Sequence, residues 1–324
     1  MKSALITGIT GFTGKHLVEY LLSLDEEIDL YGISRTEGLT LPNVKCIRAN
    51  LVRANDVMQV FRRLEPNYIF HLAACNHGEP QEMYATNVLG TINLLEAVKD
   101  MGKKSPIILL VGSCAEYGIV DKTDLPIKES TPLKPVSFYG NSKVAQDFIG
   151  LQYFITHGLN VIRVRPTNII GPGQSKKYVC SAFASQIVAI ERGTLNNSME
   201  VGNLTPQRDF LDVRDAIDAY WRLINIDSFG DVFNICSGTT VCPRDVLNNL
   251  LSLTAVKPTI ISSSKPTRSG PIMLQSYNYD KVNKATGWVP NKTLRNSLEE
   301  ILEYWRNIQI TTRSKRKYLN LMNP

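Results

Sequence analysis

The apolar run Ala4-Leu5-Ile6-Thr7 stops on three evenly spaced glycines, Gly8-x-x-Gly11-x-x-Gly14. An apolar strand that ends on a glycine turn and continues as a helix is the first half of a βαβ unit. A chain that starts this way is steered towards a parallel sheet with helices on both faces. Each glycine has its own reason. Gly8 permits the tight strand-to-helix turn, Gly11 lets backbone approach a pyrophosphate, and Gly14 lets the helix pack close to the sheet. The free N–H groups at the helix start then present partial positive charge to an anion.

The same alternation continues. The pattern predicts strands at Ser3–Thr7, Leu30–Ser34, Val44–Arg48, Tyr68–His71, Ile107–Val111 and Asn160–Arg165. It predicts helices at Gly14–Leu24, Asn55–Leu64, Tyr84–Met101 and Tyr139–His157 between them. The fold class is therefore α/β, a Rossmann-type doubly wound parallel sheet. After Arg165 the rhythm changes, and Pro, Gly and polar residues crowd 166–177 and 196–208. A helix at Val213–Asn225 and a strand at Val232–Ile235 read as a return to the first lobe. A helix at Pro243–Thr254, a strand at Thr259–Ser262 and a helix at Leu294–Asn307 follow. The expected division is a dinucleotide-binding domain over 1–166, joined by about 209–235. A smaller, discontinuous α/β substrate lobe spans 167–208 and 236–310, and a basic tail covers 311–324.

Composition narrows the function classes. The 324 residues are 43% apolar and 20% charged, as in an ordinary globular protein. No stretch reaches the roughly 18 uninterrupted apolar residues of a membrane span, so no membrane partner is expected. Met1-Lys2-Ser3 leads directly into a predicted strand, so no signal peptide is expected. The six cysteines lack C-x-x-C spacing and read as reduced cytoplasmic thiols, with no metal site. The net charge of +6 suits a small polyanion. The basic cluster Arg313-Ser-Lys315-Arg316-Lys317 has no interleaved aromatics, so nucleic acid is not expected.

Ser34-Arg35 ends the second strand where a carboxylate would bind a ribose 2′-hydroxyl. A guanidinium there suits a 2′-phosphate and favours NADP, with NAD less favoured. Asn50 and Leu51 follow the third strand, where an adenine edge would lie. Leu72, Ala73 and Ala74 let backbone run close to the cofactor, and His71 before them reads as structural. Tyr139 and Lys143 are four residues apart and share a helix face. A free phenol titrates near about 10, and an ammonium close by is expected to lower that value. Ser113 ends the fifth strand, where a hydroxyl can polarise a carbonyl.

These motifs resemble the extended short-chain dehydrogenase/reductase family of nucleotide-sugar epimerases, dehydratases and reductases. The resemblance runs from about residue 2 to 307. It rests on Thr7-Gly-Ile-Thr-Gly-Phe-Thr-Gly14, His71-Leu-Ala-Ala74, Thr86-Asn-Val-Leu-Gly-Thr91, Gly112-Ser-Cys-Ala-Glu-Tyr-Gly118 and Tyr139-Gly-Asn-Ser-Lys143. Further on it rests on Arg165-Pro-Thr-Asn168, Gly171-Pro-Gly-Gln174, Arg208-Asp-Phe-Leu-Asp-Val-Arg-Asp215 and Thr286-Gly-Trp288. It implies Tyr139 as acid/base, Lys143 as its partner and Ser113 as the polarising hydroxyl. It adds Thr10, Phe12 and Asn87 to the cofactor site, with Asn87 also helping to position the active site through the helix that carries it. Cys114, Ala115, Asn168, Arg208 and Arg268 become substrate contacts, although Arg268-Ser-Gly-Pro271 departs from the family's R-P-x-D/E segment. Lys177, beside Lys176, either meets phosphate or base or stays solvated.

Dehydratases of the family carry acidic or polar residues after the hydroxyl. Cys114 and Ala115 stand there instead, and Glu116, one position later, is expected to point elsewhere. Within the family the chain is most similar to NADPH-dependent reductases that convert a GDP-4-keto-6-deoxy-hexose to a GDP-6-deoxy-hexose of the GDP-rhamnose type. A nucleotide-sugar 4-epimerase with tightly held NAD(P), and a non-catalytic NADP-binding sensor, stay open. The resemblance also implies a homodimer formed by the helices at Tyr84–Met101 and Tyr139–His157. A purely intramolecular packing role for their apolar stripes remains the alternative.

Overall fold

The computed structural model describes residues 2–36, 38–102, 105–263 and 272–321, with backbone only for 309–321. The chain first lays down β1 (Lys2–Thr7), β2 (Ile28–Ser34), β3 (Val44–Arg48), β4 (Tyr68–His71), β5 (Ile107–Val111) and β6 (Val161–Pro166). β7 (Asn168–Ile170), β8 (Ser198–Val201) and β9 (Arg208–Asp212) then leave the main sheet before β10 (Val232–Ile235) rejoins it. β11 (Thr240–Val241) and β12 (Thr259–Ser262) come last. The main sheet has seven parallel strands in the order β10-β6-β5-β4-β1-β2-β3. The order reverses between β1 and β4, which opens a crevice at their carboxyl ends.

Alternate residues explain why both faces are covered. Ala4 and Ile6 of β1, Tyr68 and Phe70 of β4, Leu109 of β5, and Ile162 and Val164 of β6 enter one core. Leu5, Ile69, Ile108, Leu110 and Val161, their sequence neighbours, enter the other. α1 (Phe12–Leu22) packs on the first face; α2 (Ala54–Phe61) packs on the second. The expected helix at Tyr84–Met101 is broken into α3 (Pro80–Tyr84), a π-helical turn at Ala85–Leu89, and α4 (Gly90–Lys99). α5 (Phe138–His157) starts where the Ser137 hydroxyl accepts from the Gly140 N–H (3.0 Å) and stops at left-handed Gly158.

The second lobe has a separate core. α6 (Val179–Glu191), which the sequence reading missed, supplies Phe183, Ala184, Ile187 and Val188 to it. Its apolar residues occupy more than one face, so no helical stripe stands out. α7 (Val213–Ile224) returns to the first core with β10. α8 (Pro243–Leu251) and α10 (Leu294–Leu321) close the second. α10 runs well past the expected Asn307. α9 (Asp280–Thr286), by contrast, sends Val282 into the first core, as Trp288 does just after it. Residues near 280–288, expected in the later lobe, therefore pack with the dinucleotide-binding side. Among the described residues no helix is long and apolar enough to cross a membrane.

The Trp288 indole is 1% exposed, and its N–H donates to the Asp215 carbonyl at 3.0 Å. Trp288→Ala is expected to destabilise the protein by about 3–5 kcal/mol, measured by denaturant unfolding. A loss below about 1 kcal/mol would contradict this packing assignment.

Candidate active site

Gly8 is the pivot of the cofactor crevice. Its φ is +71°, and a Cβ there would lie 2.8 Å from the Ala73 nitrogen. A side chain would meet both a strained backbone and a neighbouring strand end. Gly14 answers a second constraint: its Cβ would lie 2.5 Å from the Gly8 carbonyl oxygen, so only glycine lets α1 sit this close. The α1 start has no side-chain cap and no acidic residue in its first turn. Its N–H groups are therefore available to an anion. Gly8, Thr10, Gly11, Arg35, Asn50, Leu51, Leu72, Ala73 and Ala74 line one cleft of about 230 Å³. The residues present fit a dinucleotide. Ser34, Val52 and Thr86 also line the cleft, and the sequence reading did not assign them.

Two cofactor expectations change. Asn87, on the π-helical turn, is fully buried. Its Oδ1 accepts from the Cys75 N–H (2.8 Å), and its Nδ2 donates to the Cys75 carbonyl and the Ser142 hydroxyl (2.9 Å each). It is a clamp behind the crevice, joining the loop after β4 to α5, with no face left for a ligand. Phe12 packs its ring edge on His16 and lies under Gly171, so its side chain joins the two lobes. His71 is structural: Nδ1 meets the Thr7 hydroxyl (2.8 Å) and Nε2 the Thr91 hydroxyl (3.0 Å). Burial lowers its pKa to about 3, so it stays neutral.

Ser113, Tyr139 and Lys143 come together at the ends of β5 and α5. The Ser113 oxygen accepts from the Ala115 N–H at 3.1 Å, which leaves its O–H to donate outward. Ser113 lies beside the phenol of Tyr139; burial pushes the phenol's pKa up, with Ser113 opposing. The expected lowering by Lys143 is corrected here. The Lys143 amine, 1% exposed, donates to the Val111 carbonyl (2.6 Å) and to Gln146. Its hydrogen bonds go to these two partners and not to the phenol, and desolvation dominates at Tyr139. Burial likewise pulls the Lys143 pKa down, against the charges of Glu116 and Asp147.

Glu116 does point elsewhere. Its Oε1 accepts from the Ser113 N–H (2.7 Å), and its Oε2 lies 2.7 Å from Arg165 Nε. Cys114 is buried beside Tyr277, and desolvation raises its thiol pKa to about 12, so it is no nucleophile. Ala115 lies against Gly140 at the start of α5.

On the substrate side Asn168, an exposed residue, donates from Nδ2 to the Asp209 carbonyl (2.7 Å). Arg208 donates to the carbonyls of Gln207 (2.8 Å) and Ile272 (2.7 Å), and desolvation lowers its pKa. Neither bond neutralises its charge, so it suits an anion. Lys177 lies exposed in the loop before α6. Arg268 falls outside the described residues. Two residues of this rim carried no sequence signal: Asn76 Nδ2 donates to the Tyr178 hydroxyl (2.6 Å) across 102 positions, and such a pairing is visible only once the chain is folded. Among the described residues no cluster of His, Cys, Asp or Glu is arranged to hold a metal.

Fold and site together define the class, an NAD(P)-dependent sugar-nucleotide oxidoreductase of the extended short-chain dehydrogenase/reductase type. The chain belongs to the family described as GDP-mannose 4,6 dehydratase, whose model matches residues 5–301. It is 33% identical over 307 residues to the GDP-6-deoxy-D-mannose reductase of Pseudomonas aeruginosa, covering 93% of this chain and 96% of the relative. It is also 33% identical over 237 residues to the GDP-6-deoxy-D-talose 4-dehydrogenase of Aggregatibacter actinomycetemcomitans, covering 72% and 74%. The solved structure of RMD from Pseudomonas aeruginosa complexed with NADPH superposes with a TM-score of 0.84 at 32% identity, covering 95% of this chain and all of that one.

Gly8→Ala tests the cradle. It is expected to weaken dinucleotide binding about tenfold or more, followed by nicotinamide fluorescence. Unchanged affinity would mean that the backbone at Gly8 does not approach the ligand.

Proposed function

We propose that the protein reduces the 4-keto group of a GDP-4-keto-6-deoxy-hexose with NADPH, giving a GDP-6-deoxy-hexose of the GDP-rhamnose type. One juxtaposition supports this reading best: the glycine cleft and the Ser113–Tyr139 pair open on the same sheet edge, and neither residue that follows Ser113 is a carboxylate. Eliminating water beside a ketone needs an added acid and base. The high-pKa thiol of Cys114 and the methyl of Ala115 supply neither, and Glu116 is engaged with Arg165.

NADPH, when bound, supplies the hydride. Backbone at Gly8, Thr10 and Gly11 with the α1 N-terminus would hold its pyrophosphate, Arg35 its 2′-phosphate, and Asn50 and Leu51 its adenine. Leu72, Ala73 and Ala74 would run beside it, and Lys143, with one N–H still uncommitted, would reach the nicotinamide ribose. Ser113 donates its O–H towards the ketone oxygen. Tyr139 gives its proton to the alkoxide that develops there. Burial favours this direction, because a phenol with a raised pKa is protonated at neutral pH and ready to donate. An epimerase would need the phenolate first, to oxidise an alcohol. The Lys143 ammonium, one turn along α5, would be the nearest cation on that helix to the phenolate that remains. Asn168, Arg208 and Lys177 would meet the GDP diphosphate, with Arg268 as a further candidate.

The apolar surface of α5 supports a homodimer. Phe148 is 55% exposed and Ile155 is 69% exposed, seven residues apart on one helix face. Two large apolar side chains presented on one helix face fit a surface that a partner covers. We read it, with α4 alongside, as the face that pairs with a second copy.

The activity test is to incubate the protein with NADPH and a panel of 4-keto-6-deoxy nucleotide sugars. Stoichiometric loss of nicotinamide absorbance with the GDP-sugar is expected. Tyr139→Phe should lower turnover by about 10²–10⁴-fold and keep NADPH affinity. Isomerisation of a UDP- or GDP-hexose without net NADPH loss would make the protein an epimerase instead. Retained function in Tyr139→Phe would favour the sensor. Light scattering should show a dimer that Phe148→Glu with Ile155→Glu converts to monomer; a wild-type monomer would remove the dimer proposal.

A further inference from the structure

Behind Ser113 lies a set of buried charges that the reduction does not use directly. Glu116 is fully buried. One carboxylate oxygen takes the Ser113 N–H (2.7 Å) and the other sits 2.7 Å from Arg165 Nε. Arg165 continues to Asp147 Oδ2 at 2.8 Å, and Arg163 reaches the same oxygen at 2.7 Å. Asp147 stands on α5 one turn beyond Lys143. An unbroken path of short contacts therefore runs from the turn that carries the hydroxyl to the helix that carries the phenol and the amine. Gly112 makes room for it, since a Cβ there would lie 2.4 Å from Glu116 Oε1.

We propose that Glu116 is a positioning residue for the reduction read above: it fixes Ser113 through the backbone and, once ionised, holds the proton on Lys143, whose amine meets the Val111 carbonyl next to the Gly112 that packs on Glu116. A buried ammonium with no counter-charge sheds its proton. The Val111 carbonyl and Gln146 solvate Lys143 but bring no charge. Of the two carboxylates that oppose its desolvation, Glu116 acts more strongly than Asp147. Asp147 is shared by two guanidiniums, whereas Glu116 is met by one; burial and the charge of Asp147 push the Glu116 carboxyl up to about 8, with Arg165 opposing, so its charge acts on the alkaline side of neutrality, where the limb lies. The other groups around Lys143 are neutral or belong to this set. His71 on β4 is held between Thr7 and Thr91. Tyr139 lies one turn back on α5. Tyr117 accepts from Arg165 (3.1 Å) and donates to Asn234 (2.6 Å).

Glu116→Gln keeps the shape and the acceptor for the Ser113 N–H but removes the charge. Losing a carboxylate favours the neutral amine, so the alkaline limb of kcat should move to lower pH by about one unit. The pH at which NADPH affinity falls should move with it. The limb's position does not depend on how much of the variant is folded. Glu116→Gln with Arg165→Gln removes both charges of the pair and avoids an unmatched guanidinium; a shift in the same direction is expected, smaller because the lost positive charge had opposed the carboxylate. Profiles that superpose on the wild type in either variant overturn the proposal. If wild-type protein consumes no NADPH with any 4-keto sugar, the reductase reading fails. The pH dependence of NADPH binding then still decides the role of Glu116.

Discussion

Parallel pairing of β1 with β4, and of β4 with β5, sets Thr7 opposite His71 and His71 opposite Leu110. The residues that follow these strands, Gly8, Leu72–Ala74 and Ser113, must then leave the sheet along one edge. A one-residue slip in either pair would turn the apolar residues of a strand to the wrong face. Both faces of the sheet are packed, so the register is strongly fixed. The crevice is a consequence of that register. α5 is not part of the sheet and needs its own attachment, which Asp147 provides through Arg163 and Arg165 of β6.

Much of this arrangement was legible in the chain. The first six strands follow from β-branched and apolar runs, and Gly8 and Gly14 have the backbone duties their spacing suggested. The four-residue spacing of Tyr139 and Lys143 does place them on one stretch of α5. It does not say which way the amine turns. The Val111 carbonyl at the end of β5 decides that, and it comes from a distant part of the sequence. The π-helical turn at Asn87 was hidden for a similar reason. Asn87 makes its bonds to Cys75 and Ser142, not within its own helix. α6 was missed because a helix buried on several sides carries no amphipathic stripe. α9 was not read from the sequence, and its segment was assigned to the second lobe, because its side of the core depends on Trp288 meeting α7.

The electrostatics of the site follow from burial more than from pairing across it. Desolvation raises Tyr139, Cys114 and Glu116 and lowers Lys143. Each group is thereby biased towards its neutral form, and the neighbours decide how far. For the phenol that bias suits the proposed reduction, in which a proton donor must hold its proton until the alkoxide forms. For the amine it is opposed by two carboxylates beneath the active-site floor. The same two carboxylates tie the serine turn to the helix, so charge and position depend on one set of contacts.

The claim that the glycine cleft and the Tyr139 hydroxyl serve one reaction is tested most directly by a crystal structure of the protein with NADP and a GDP-6-deoxy-hexose. The account predicts the Tyr139 oxygen about 2.6–3.2 Å from the sugar O4, with the nicotinamide ring facing the carbon that bears it. A sugar bound with its C4 turned away from Tyr139, or a dinucleotide lying outside the Gly8–Ala73 cleft, would contradict it.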